Sequence, residues 1–160
     1  MLRYTVRRLT MPGLITAVSL VTPALGSGSQ GGSTQSACGL LSPADIAKAT
    51  GLVVGNGTAG PAIPGTLGKC TWTAGGNTRV IVTLADAQHM QLTIAAQQQQ
   101  GTDVPGLGSK AVAVPAASFT GGGYIVSVLD AKGGFGVSSL GKGGTRDRAV
   151  ALAKIVASHR

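Results

Sequence analysis

The sequence predicts an α+β fold in a single domain: an antiparallel β-sheet with about three helices packed against one of its faces. Residues 78–84 alternate between apolar and polar side chains, which is typical of a half-buried strand. Two later stretches carry apolar side chains at helical spacing. The predicted order is helix, hairpin, helix, meander, helix. Because a helix followed by strands occurs twice, with a break near residue 101, this order indicates a duplicated unit, although the two halves share no convincing sequence repeat.

The first helix is predicted from its start signals. Ser42 is a capping residue, Pro43 suits the first helical position, and Asp45 favours the positive end of the helix. Gly51 is expected to end this helix. Residues 52–54 then begin an extended segment, and the Gly- and Pro-rich residues 56–68 are predicted to form a long loop.

The middle of the chain predicts a hairpin and a second helix. Strands at residues 69–73 and 78–84 flank a Gly-Gly-Asn turn at 75–77. Asp86 is expected to cap a helix that continues to about residue 100, ahead of Gly101. Its apolar face would carry Met90 and Ile94, with Gln97 at the next helical position. The four glutamines at 97–100 are interpreted as a polar helix end.

The last part of the chain predicts a meander and a third helix. Residues 103–108 form a loop, and strands follow at 111–114, 124–129 and 135–140. Thr145 then caps a helix over 146–158, which has an alanine-rich apolar stripe.

Residues 1–26 have the composition of a signal peptide. Three arginines lie among the first eight residues, an apolar run covers 14–25, and Ala-Leu-Gly at 24–26 provides a cleavage site. The apolar run is shorter than the ~20 residues of a membrane span, and an uncleaved anchor is the alternative. Residues 27–37 predict a flexible Gly/Ser linker, so the exported domain would cover residues 38–160. The expected location is extracytoplasmic, in the periplasm, in the cell envelope or outside the cell.

The charge distribution argues against nucleic-acid binding. The chain carries 13 basic and 5 acidic residues, a net charge of +8; without the three arginines of the signal peptide, 10 basic and 5 acidic residues remain, or +5. The remaining basic residues are scattered singly, and no run of them could follow a phosphate backbone. Weak attraction to an anionic envelope polymer or lipid surface is the alternative to an ordinary solvated surface.

Cys38 and Cys70 are the only cysteines, and in an exported chain they are expected to form a disulfide. Closing a loop of 32 residues would stabilise the fold by about 3–4 kcal/mol in the chain-entropy model. A metal site is the alternative, but only His89 and His159 could join the cysteines, without finger-like spacing. Trp72 shares a strand face with Cys70 and is expected to pack on the disulfide; ligand stacking is its alternative role.

The sequence predicts no enzyme, catalytic residue, cofactor or metal. It contains no glutamate, and its five aspartates fall at helix starts and in turns. The P-loop-like residues 136–142 lack the hydroxyl residue that should follow Lys142. Residues 106–111 imitate a dinucleotide motif but lead into a strand. The alternative is an envelope-directed hydrolase that uses His89 with Ser138 or Ser139.

Together with the alanine-rich last helix, three segments resemble a family of small exported proteins common in actinobacterial envelopes, many of them lipoproteins, whose function is unknown. They are Cys-Gly-Leu-Leu-Ser-Pro-Ala-Asp-Ile at 38–46, Cys-Thr-Trp at 70–72 and Val-Pro-Gly-Leu-Gly at 104–108. The resemblance implies an α+β fold and a disulfide between Cys38 and Cys70, and it supplies no catalytic residues. The chain departs from the lipoproteins because Gln35 stands where a lipobox has an aliphatic residue.

The predicted function is that of a non-enzymatic binding or accessory domain at the cell envelope. The expected partner is a small apolar ligand or another envelope protein, and the domain is expected to be monomeric, with no membrane span after signal cleavage. The alternatives to this binding domain are the hydrolase described above and a purely structural role in the wall.

Overall fold

A computed structural model describes residues 35–61 and 63–160. The predicted signal peptide and residues 27–34 of the predicted linker lie outside these residues. The described part is an α+β domain, as the sequence predicts. Its helices are α1 (Pro43–Thr50), α2 (Ala87–Gln97) and α3 (Arg146–Ser158). Its strands are β1 (Thr58–Gly60), β2 (Thr66–Thr73), β3 (Arg79–Ala85), β4 (Thr102–Asp103), β5 (Lys110–Pro115), β6 (Gly123–Asp130) and β7 (Gly133–Leu140).

The seven described strands form one antiparallel sheet in the order β1-β2-β3-β7-β6-β5-β4. Each half of the domain therefore runs as a helix followed by an antiparallel meander. The last strands of the two meanders, β3 and β7, pair at the centre of the sheet. The halves differ in strand number, and their helices α1 and α2 lie on opposite sides of the sheet.

The first face of the sheet carries the main core. Trp72, Val82, Val126 and Phe135 point to this side and pack with the apolar stripe of α3 and with Ile46 of α1. The short 3₁₀ turn Ala37–Gly39 covers β2 and β3 on the same side.

The second face carries α2, so the expectation that all helices share one face is wrong. Met90 and Ile94 of α2 pack on Val112, Val114 and other apolar residues of this face. The reason is that β5 and β6 carry apolar side chains in both directions, and a strand with two apolar faces needs cover on both sides. Helical periodicity in α2 reveals an apolar stripe but not the face on which it packs.

The edges of the sheet also differ from the prediction. Residues 56–68, expected as one loop, contain β1 and the start of β2, and β4 lies where the loop 103–108 was expected to begin. Both edge strands are only two or three residues long, too short for side-chain alternation to reveal them. Helix α2 ends at Gln97, three residues before the predicted end.

The disulfide between Cys38 and Cys70 is present, with a Cα–Cα distance of 5.0 Å. It joins the Ala37–Gly39 turn to β2 at the buried Cys70. Trp72, two residues further along the same strand face, is 1% exposed and belongs to the main core. Gly57 crosses directly over both groups, where a Cβ would lie 2.6 Å from the Cys70 sulfur and from the Trp72 ring. Trp72 therefore has a packing role.

Candidate functional site

The candidate site lies on the second face of the sheet, at the border of the area that α2 covers. Helix α2 packs on β5, β6 and β7 and leaves the same face of β2 and β3 largely open. The strand register places Thr83 of β3 beside Gly136 of β7, and Gly136 beside Ser127 of β6. These three positions form a row that runs from the open half of the sheet to the half beneath the helix.

A cavity of about 150 Å³ lies at the boundary between the covered and the open half of this sheet face, and we call it the α2 cleft. Its roof is formed by α2, and its floor by the strands. The roof residues are His89, Met90, Thr93 and Gln97. The floor and rim residues are Thr66, Thr83, Ala85, Ile125, Ser127, Gly136 and Ser138.

Two glycines of β7 explain why the helix approaches closely and yet leaves space. A Cβ on Gly134 would overlap the side chain of Met90, so this glycine lets α2 approach the sheet. A Cβ on Gly136 would meet nothing nearer than the Val126 carbonyl oxygen at 4.0 Å. The missing side chain at Gly136 therefore leaves part of the cleft empty.

The cleft combines polar and apolar side chains and carries no fixed charge. Its lining contains no aspartate, lysine or arginine, and His89 is its one titratable side chain. Two of its hydroxyls are already engaged: Thr66 hydrogen-bonds to Ile63, and the Thr93 hydroxyl donates to the carbonyl of His89 at 2.9 Å. The Gln97 side-chain oxygen, Oε1, is buried and has no hydrogen-bond partner among the described residues.

The two serines named for a hydrolase lie on different sides of the sheet. Ser138 lines the α2 cleft with His89. Ser139 points to the first face, where it is 0% exposed and its hydroxyl has no hydrogen-bond partner in the described part of the chain. Ser139 therefore cannot act with His89.

Among the described residues, no carboxylate hydrogen-bonds to the imidazole of His89. The Asp86 carboxylate accepts a hydrogen bond from the backbone N–H of His89 at 2.7 Å, because Asp86 caps α2. The half-buried His89 ring packs against Gly65, whose φ of +82° brings the loop before β2 close to the helix. A hydrolytic triad would therefore lack its third member in the cleft.

A larger cavity of about 450 Å³ lies beside the disulfide, and the side chains of Ser42, Asp45 and His159 in its lining are engaged by other groups of the chain. Ser42 and Asp45 close a capping box at the start of α1, and Nδ1 of His159 lies 2.9 Å from the carbonyl of Leu40. Hydrogen bonds from the side chain and backbone of Ser42 lower the pKa of Asp45 below its ordinary value of 3.8, with smaller contributions from His159 and Lys48. Trp72 contributes to the wall but is inaccessible for stacking.

Two other cavities offer fewer features of a binding site. One, of about 450 Å³, lies at the end of the β2–β3 hairpin and is lined mainly by exposed side chains such as Arg79 and Asn77. The other, of about 260 Å³, is lined by residues 103–111 alone. Neither contains a buried polar side-chain atom that lacks a partner.

The described residues include neither a candidate metal cluster nor a candidate membrane-spanning helix. Their His, Cys and Asp side chains form no cluster of three or more that could hold a metal ion. None of their helices has both the length and the apolar character needed to cross a membrane.

Sequence reasoning placed Gln97 on the same helix face as Met90 and Ile94 but gave it no functional role, and it did not single out Gly136. A signal existed for Gln97, because a polar residue stood at a core position of the helical stripe with Met90 and Ile94. For Gly136 the signal was weaker: small residues at 134, 136 and 138 alternate with Phe135 and Val137. Neither pattern tells which helix lies above the small residues.

No protein-family model, curated protein or solved structure matches the chain. The resemblance of the segments at 38–46, 70–72 and 104–108 to exported actinobacterial proteins therefore stays a prediction.

Proposed function

We propose that the chain is an exported, non-enzymatic binding domain of the cell envelope that holds a small chemical group in the α2 cleft. The observation that carries this proposal is a cavity of about 150 Å³ whose roof includes Gln97, a residue whose side-chain oxygen Oε1 is buried and has no hydrogen-bond partner among the described residues. Buried polar groups are almost always hydrogen-bonded, and an exception calls for an explanation, of which a bound water molecule, an ion or a ligand is one.

The volume of the cleft limits what enters it. Pockets that enclose a whole drug-sized ligand usually measure about 300–1,000 Å³, whereas the α2 cleft measures about 150 Å³. The cleft would therefore hold one end group of a larger molecule, while the rest lies over the open half of the sheet. Thr71, Thr73 and Lys69 on β2 offer polar and cationic contacts there.

Export is supported by the disulfide and by the composition of the first 26 residues. The Cys38–Cys70 bond is typical of proteins that fold in an oxidising compartment. A basic start followed by an apolar run is typical of a signal peptide. The family resemblance is part of the same proposal.

Filling the cleft tests the proposed function. Wild-type protein purified from envelope or secreted material should carry a bound molecule in native mass spectrometry. In Gly136→Val, whose new side chain enters the cleft, we expect this molecule to be absent while the melting temperature stays close to wild type. Gly68→Ala is the matched control, since its Cβ lies on the first face with its nearest contact, Ala37, at 3.9 Å. Protein that is apo in the wild type, or a ligand retained by Gly136→Val, would argue against the cleft.

A hydrolase is the second candidate function, because His89 and Ser138 line the same cleft. A fluorophosphonate probe should then label Ser138, and His89→Ala should abolish the labelling. Ser139→Ala, on the opposite face, is the control and should label like the wild type. Absence of labelling, or labelling that survives His89→Ala, would dismiss the hydrolase and leave the binding role in place.

A further inference from the structure

We infer that the group held in the α2 cleft is neutral and donates an N–H or O–H to Gln97, as an amide does. This inference rests on the proposed function and specifies its ligand. The juxtaposition that carries it is Gln97, whose carboxamide oxygen is buried and unpaired among the described residues, in the roof above a floor that combines hydroxyls with apolar side chains.

The charge of the cleft restricts the ligand group that it can hold. None of the cleft residues is an aspartate, lysine or arginine, so an ionised group inside the cleft would meet no opposite fixed charge. Burying an unpaired ion is far less favourable than burying a neutral polar group. The structure therefore favours a neutral ligand group.

The unpaired atom of Gln97 determines which partner of the hydrogen bond the ligand must supply. Oε1 of Gln97 is an acceptor, it is buried, and it lacks a partner in the described part of the chain. The terminal torsion of a glutamine side chain is broad, so this oxygen can turn toward a donor that enters the cleft. A ligand without a donor leaves the acceptor unpaired, which lowers affinity about tenfold or more.

The size and lining of the α2 cleft restrict the ligand group further. An apolar cavity of about this volume holds a six-membered ring, so the α2 cleft has room for roughly six non-hydrogen atoms. Ala85, Met90 and Ile125 give it an apolar wall, while Ser127 and Ser138 bring hydroxyls to the floor. An acetamido group matches this arrangement: its N–H faces Gln97, its carbonyl a hydroxyl, and its methyl the apolar wall.

Three probes of nearly equal size separate the possibilities. Acetamide is neutral and donates, acetone is neutral without a donor, and acetate is an anion. Each is titrated into the ¹⁵N-labelled protein, and chemical-shift changes of the cleft residues are followed by NMR. We expect acetamide to bind at the cleft at least about tenfold more tightly than acetone or acetate.

Substitution of the acceptor completes the test. Gln97→Met keeps the length of the side chain and removes its oxygen, so the preference for acetamide over acetone should disappear. Gln98→Met is the matched control, because Gln98 is exposed one position later, and it should keep the preference. The comparison of three probes on the wild type stands even where Gln97→Met folds poorly.

The outcomes separate the inference from the proposed function. Equal binding of acetamide and acetone, tighter binding of acetate, or a preference that survives in Gln97→Met overturns the inference on ligand class. In each of these cases a probe still occupies the cleft, so the binding role holds. A cleft that no probe perturbs, in a protein whose native mass spectrum shows no ligand, overturns both.

Discussion

Gln97 and Gln98 have the same side chain, but the helix places them in opposite environments. Gln97 follows Met90 and Ile94 on the face of α2 that meets the sheet, whereas Gln98 is exposed at its end. The run of four glutamines by itself predicts only a polar segment, and helical spacing from Met90 and Ile94 separates Gln97 from the other three. One rotation of about 100° per residue decides that a single carboxamide enters the cleft.

Asp45 makes the stability of the domain depend on pH in acid. Its pKa is lower in the folded protein than its ordinary value of 3.8, because Ser42 donates hydrogen bonds to the carboxylate. The unfolded chain therefore binds more protons in this range, and the stabilisation is complete above pH 3.8 and is lost as pH falls through the folded pKa.

We expect the free energy of unfolding of the wild type to exceed that of Asp45→Asn by up to about 1 kcal/mol at neutral pH. The difference should shrink below pH 4 in urea titrations at stepped pH. Asp147→Asn, in the first turn of α3 and outside any capping box, is the control. A difference that stays constant down to pH 2 would contradict the role of the Asp45 carboxylate.

Arg160 is predicted to stabilise the β6–β7 turn. Its side chain is 8% exposed, and its guanidinium donates to the carbonyls of Gly134 at 3.0 Å and Lys132 at 3.2 Å. It also lies 3.4 Å from the Asp130 carboxylate and 5.1 Å from the centre of the Phe135 ring. A lysine cannot reproduce this planar set of donors.

Arg160→Lys should therefore lower the free energy of unfolding by about 1–2 kcal/mol, measured by urea denaturation. Arg79→Lys, an exchange at an exposed arginine, should change it by less than about 0.5 kcal/mol. Equal effects of the two substitutions would mean that the contacts of Arg160 are not stabilising.

At the scale of elements, β7 shows how one strand serves two different purposes. Phe135 and Val137 point into the main core, and Gly134, Gly136 and Ser138 point toward α2. The large side chains fix the first face, while the small ones determine how closely the helix approaches the second. A period of two residues lets the same strand do both.

The two glycines of β7 should respond differently to alanine. Gly134→Ala is expected to destabilise the domain by about 1–3 kcal/mol, because the new methyl overlaps Met90 and pushes α2 away from the sheet. Gly136→Ala places its methyl in free space and should be neutral or stabilise by up to about 1 kcal/mol.

Urea denaturation of both variants at one pH measures the difference. Similar losses of stability would show that α2 does not pack on Gly134 as the contacts indicate. A large loss in Gly136→Ala would show that the cleft above it is not empty.

At the scale of the whole molecule, the two sheet faces are covered unequally. The first face is closed by α1, α3 and the Ala37–Gly39 turn, whereas α2 closes only part of the second. A cavity forms where the cover stops, and it is lined both by polar side chains that an incompletely covered face retains and by apolar residues beneath the helix. The position of the candidate site is thus a property of the topology.

The disulfide is expected to contribute strongly to the stability of the whole domain. Removing the bond in Cys38→Ala/Cys70→Ala frees a loop of 32 residues and should lower the free energy of unfolding by about 3–4 kcal/mol in the chain-entropy model. Denaturation with and without dithiothreitol measures this. The double variant should not respond to the reductant; a wild type that is equally stable when reduced would contradict the prediction.

The sequence by itself determined which segments form helices and the longer strands, because caps, turns and side-chain periodicity are local properties. It also identified the partners of the disulfide, since the chain has only two cysteines. Only the tertiary structure decided that α2 lies opposite α1 and α3, and that space remains above Gly136. These features depend on contacts between residues distant in sequence, and an apolar stripe or an alternating strand is compatible with cover from either side.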